Sequence, residues 1–84
     1  MVDKEIPLSD LNLSAFHLYH GNPPELSLQG SKVIFLFSND DTFFELSARY
    51  NSNETIPVLD FVNALRQLKA VMMNKKLEKP RGLE

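Results

Sequence analysis

The chain has 84 residues, 43% of them apolar and 24% charged, with a formal net charge of −2. That is enough for one domain with a thin stability margin, and too ordinary a composition for a disordered or low-complexity segment. It holds no cysteine, which excludes disulfides, thiolate metal sites, iron–sulfur clusters and cysteine nucleophiles.

No apolar run approaches the ~20 residues that a membrane-spanning helix needs. Met1 to Glu5 lacks the basic start and apolar stretch of a signal peptide, so no membrane association is expected and the expected location is cytoplasmic. Charge is unevenly placed. Residues 1–60 carry nine acids against three bases, whereas residues 61–84 carry two acids (Glu78, Glu84) against six bases. Leu83 and Glu84 read as the remnant of an affinity tag and are left out of the functional reading.

In chain order, residues 1–8 read as a flexible polar segment in which Ile6 and Leu8 can anchor. Ser9 and Asp10 offer helix-capping side chains. Leu11, Ala15, Leu18 and Tyr19 then recur at helical spacing, with Phe16 beside them and Ser14 and His17 on the opposite, solvent side. This predicts a helix over 10–20, stopped by Gly21 and Pro23-Pro24. The alternation Leu11, Leu13, Ala15 leaves a short strand open at its start.

Glu25-Leu26-Ser27-Leu28-Gln29 alternates as a half-buried strand. Gly30-Ser31 has the pattern of a type II′ hairpin turn, and Lys32 to Ser38 is rich in β-branched and aromatic residues. The turn fixes the register: Gln29 faces Lys32, Leu28 faces Val33 and Leu26 faces Phe35. Leu26, Leu28, Val33, Phe35 and Phe37 share one sheet face. Ile34 and Leu36 fall on the other, so the second strand is apolar on both faces and needs cover there from a helix or another molecule.

Ser38 or Asn39 is expected to cap a helix over 40–50, with Asp41 completing a capping box after Ser38. Phe43, Leu46, Ser47 and Tyr50 form its inner face, Glu45 and Arg49 its outer one, and Phe44 lies to the side. Asn51-Ser52-Asn53 ends it. Pro57 opens the last helix, 57–74, whose stripe is Val58, Phe61, Val62, Leu65, Leu68 and Met72. Residues 75–84 read as a basic tail. The expected domain is therefore 9–74, of α+β class, in the order α–β–β–α–α with an antiparallel hairpin packed against helices.

Candidate chemistry is sparse. His17 and His20 lie three apart on a helix, but no acid nearby completes a metal site, and none is expected. Asp40 and Asp41 are read as capping residues, not an acid pair. Neither a Gly-x-Ser-x-Gly motif nor a phosphate-cradling glycine loop occurs, so no catalytic residue and no cofactor is expected.

Three segments carry a resemblance: Ser9-Asp10-Leu11 with Leu13 to Phe16 and then Gly21; the strand Lys32 to Phe37; and the helix Phe61 to Lys69. Through them the chain resembles a family of short bacterial and phage-associated domains of unknown function. The resemblance implies a compact domain of this order and no activity. The reading is thus a non-enzymatic interaction domain, expected as a homodimer joined hairpin to hairpin or bound to another protein, with Ile34, Leu36 and Phe44 as interface candidates. The alternative is a nucleic-acid-associated accessory protein using Arg66, Lys69 and Lys76 with the basic tail.

Overall fold

The structure, a computed structural model, describes residues 5–77. Along them run β1 (Glu5–Leu8), α1 (Leu11–Tyr19), β2 (Glu25–Gln29), β3 (Lys32–Ser38), α2 (Asp41–Asn51) and α3 (Val58–Leu77). The class is α+β, with one antiparallel sheet in the order β1-β3-β2.

The hairpin forms in the register that its turn dictates, with Gln29 opposite Lys32, Leu28 opposite Val33 and Leu26 opposite Phe35. Gly30 has φ +65° and Ser31 is not in the left-handed region. Positive φ at the first central residue alone is the type II′ pattern, whose twist suits the flanking strands.

The N-terminal segment departs from expectation. Residues 5–8 are not loose but form β1, which pairs along β3 with Ile6 opposite Phe37 and Leu8 opposite Phe35. Pro7 is compatible with this because β1 is an edge strand and needs no second ladder. Ile6 and Leu8 pack against the core. β1 also occupies one side of β3, so the edges of the sheet are β1 and β2. Residues 1–4 and 78–84 lie outside the described residues, and with them most of the expected basic tail.

One helix cap falls where the sequence predicts it and one does not. Asp10 caps α1, its Oδ1 accepting from Leu13 N–H at 3.1 Å. The cap of α2 is Asp40, not Ser38 or Asn39: its Oδ1 accepts from Phe43 N–H at 3.0 Å. α1 and α2 then end in the same device. Gly21 (φ +81°) and Asn53 (φ +61°) take the left-handed position after the cap. Asn22 N–H donates to His17 O and Glu54 N–H to Arg49 O, at 2.9 and 3.2 Å. Gly21 N–H and Asn53 N–H reach Leu18 O and Tyr50 O, each at 3.0 Å. Both are Schellman motifs.

α3 extends to Leu77, three residues past the predicted end, because Lys75 and Lys76 suit a helix C-terminus and no Gly or Pro intervenes. The core is Val33, Phe35 and Phe37 of the sheet against Ala15, Phe43, Ala64 and Leu68 of the helices.

Ser14 and His17 are corrections: both are wholly buried, not solvent-facing. α1 is held on two sides, by α3 and by α2, so its polar arc faces α2 and not water. Val58 is a third correction. The predicted stripe includes it as core, but it is 73% exposed, because burial along α3 begins only at Phe61.

Candidate functional site

The inward face of α3 is settled by burial of Ala64 and Leu68 and partial burial of Phe61, Leu65 and Met72. The outward face is unusual for a surface helix. Six large apolar side chains are exposed among the described residues, and five of them are on α3: Val58, Leu59, Val71, Met73 and Leu77. Leu59, Met73 and Leu77 stand at 77%, 61% and 78% exposure. Leu59, Arg66 and Met73 are spaced by seven, and Arg66, Lys69, Met73 and Lys76 by three, four and three, so they form one stripe. α3 therefore carries, outside the face that fills the core, a second stripe in which exposed leucine and methionine alternate with basic side chains.

Arg66, Lys69 and Lys76 are exposed along this stripe, as their sequence pattern implied. No acid occurs between Phe61 and Leu77, against four bases. Lys69, Met72, Met73 and Lys76 line a depression of about 240 Å³. Its lining is two methionines and two lysines. The sequence reading found the bases but not Leu59, Met73 and Leu77. The signal for them was the seven-residue spacing running outside the core stripe.

The other expected interface residues do not form one surface. Ile34 and Leu36 are half-buried on the sheet face opposite Val33, Phe35 and Phe37; across the ladder Leu36 meets Pro7 and Glu25, and Ile34 meets Ser27. Phe44, 56% exposed, belongs to α2 and sets its ring edge-on to Phe43, 5.4 Å away.

A polar chain links α1 to α2. His17 Nε2 lies 3.1 Å from Ser47 Oγ, and Asn22 Nδ2 lies 3.1 Å from His17 Nδ1. The ring stacks on Phe43 at 4.8 Å and meets Phe37 at 4.7 Å. Hydroxyl, imidazole and amide in this order resemble a nucleophilic triad. The protonation is reversed, however. An amide nitrogen only donates, so Nδ1 accepts, Nε2 carries the proton, and Ser47 Oγ receives it. A base for Ser47 needs a free lone pair on Nε2. Burial holds the imidazole below its ordinary 6.5, His20 adds to this and Asp40 opposes it. His17 is a satisfied core histidine.

Beyond it, Arg49 Nε and Nη2 donate to the two carboxylate oxygens of Glu54, each at 2.7 Å. These hydrogen bonds hold the Glu54 carboxyl below its ordinary value and raise the Arg49 guanidinium. His20 Nε2 sits 3.8 Å from Glu54 Oε2, too far for a hydrogen bond. The adjoining depression, about 540 Å³, is lined by Asn12, Asn51 and Asn53 with Tyr50, Ile56 and Phe61 among others. Glu54 lines it too, with its carboxylate already engaged by Arg49. Among the described residues no group of three or more His, Asp or Glu converges as a metal site, and no helix is long and apolar enough to cross a membrane.

No family model, curated protein or solved structure matches the chain. The functional reading therefore rests on the outward face of α3.

Proposed function

We propose that this is a protein-binding module that docks another protein on the outward face of α3. The observation that carries the reading is the gathering of exposed apolar side chains on one helix whose other face already fills the core. Such a stripe is the helix surface used in helix-in-groove and helix-on-helix recognition. A second copy fits it poorly. Pairing α3 with its own equivalent about a two-fold axis sets Arg66, Lys69 and Lys76 among like charges. Nucleic acid fits it poorly as well, since phosphates would neutralise the bases but leave Leu59, Met73 and Leu77 in water. The bases are then rim groups that steer and orient the partner.

The test compares immobilised wild type, Met73→Glu and, as a control on α2, Glu45→Lys in lysate of the native cell. One protein should be retained by wild type and Glu45→Lys, be lost with Met73→Glu, and crosslink to Lys69 or Lys76. Identical retention by all three forms, or nucleic acid as the retained species, would overturn the reading. The free chain should show a single-chain mass in solution.

A further inference from the structure

Resting on that reading, we infer that the partner segment is an acidic amphipathic helix, which seats a bulky aliphatic side chain on Met72 and Met73 and places carboxylates against Lys69 and Lys76. Three observations select this occupant. The depression is small, about 240 Å³, so it admits one large side chain and not a folded surface. Two of its four lining residues are methionines, whose side chains are unbranched and polarizable and mould themselves to leucine- or phenylalanine-sized groups. The other two lining residues are lysines, and the helix from Phe61 to Leu77 carries bases without a single acid. A neutral or basic segment would leave these charges opposed or unpaired, whereas an acidic one gains from both.

Leu59 and Leu77 extend the same stripe in both directions from Met73. An apolar side chain recurring every three or four residues on the partner would follow them, which is helical spacing. The surrounding charge agrees. Residues 1–60 are strongly acidic, so an acidic partner is repelled from the rest of the molecule and guided to α3.

Three short helical peptides provide the probe: one with leucines on one face and glutamates beside them, one with lysines in place of the glutamates, and one with serines in place of the leucines. Fluorescence anisotropy with the full chain should show the first binding roughly tenfold more tightly than the other two, the size expected of two rim charge pairs and one apolar anchor. Amide shifts on titration should concentrate in 66–77, and affinity should fall as salt rises. The double variant Lys69→Glu with Lys76→Glu, changed only at exposed positions, should come to prefer the lysine peptide.

Equal affinity for the glutamate and lysine peptides would overturn the inference, as would equal affinity for the serine peptide, which is electrostatics alone. Single-stranded DNA or phosphatidylserine vesicles shifting the same residues at lower concentration would also overturn it. These results leave the lysate test untouched. A protein retained through Met73 but indifferent to peptide charge defeats the acidic-helix inference alone.

Discussion

Acid should destabilise this protein well above the carboxylate range, and His17 is the reason. In the folded chain its ring is wholly buried, with Nδ1 accepting from Asn22 and Nε2–H directed at Ser47. Protonating Nδ1 would set one N–H against another and place a charge between Phe37 and Phe43. The unfolded chain has no such objection and takes the proton near 6.5. The folded value is lowered, so below that pH the unfolded state holds more protons, and stability falls with pH. Stability is complete above 6.5 and declines as pH drops beneath it. The slope approaches about 1.4 kcal/mol per pH unit. The upper bound, set by a ring that stayed neutral over the whole window, is about 2 kcal/mol by about pH 5. That is a large part of the few kcal/mol available to a domain this small. Glu54, whose carboxyl is lowered, adds its loss at more acid pH, so the windows separate. Urea unfolding followed by circular dichroism at half-unit steps from about pH 7.5 to 5 measures the slope. His17→Gln should start less stable and lose the slope over this window. A flat wild-type midpoint from 7 to 5, or an equal slope in the variant, would refute the reasoning.

Further outcomes follow from single groups. Asp40→Ala should cost about 1 kcal/mol through loss of the α2 cap, while Ser38→Ala stays within about 0.5 kcal/mol; equal effects would mean the cap is misplaced. Ser14 Oγ is buried without a hydrogen-bond partner, so Ser14→Ala should raise stability by about 1 kcal/mol in the same denaturation assay. Gly30→Ala should cost about 1–2 kcal/mol because of its φ, not for want of space, as an added Cβ meets nothing within 4 Å; Gly30→Asn should cost less. Arg49→Ala should lower the thermal midpoint slightly, and by less in high salt, since its pairing with Glu54 is solvent-exposed.

The hairpin was legible residue by residue because a two-residue glycine turn and a period of two fix a register locally. The strand β1 was not. Glu5-Ile6-Pro7-Leu8 is too short to show a period, and its apolar pair gains meaning only where Phe35 and Phe37 wait beside it. His17 and Ser14 were misread for a related reason. A helical wheel reports one preferred inner face, and α1 has two, the second created by α2 from thirty residues further along. Arg66, Lys69 and Lys76 were legible as surface, since charged side chains belong in water. The second stripe of α3 was hidden by the first, which accounted for most of the helix's hydrophobic residues without need of another.

That second face separates what the fold requires from what it merely carries. Phe35 and Leu68, at 1% and 2% exposure, cannot be changed without opening the core, so their loss says nothing about binding. Leu59, Met73 and Leu77 bury little in the isolated chain. By the area rule, their replacement by polar residues should leave folding within about 0.5 kcal/mol. A helix of twenty residues spans about 30 Å, more than the seven-residue strand β3 that lies beneath it. Leu59, Met73 and Leu77 stand 77%, 61% and 78% exposed, so most of their apolar surface meets no other described residue. If Met73→Glu leaves the unfolding midpoint in place and abolishes docking, the stripe belongs to recognition. If it lowers the midpoint by more than about 1 kcal/mol, the stripe serves the fold and the docking argument loses its premise.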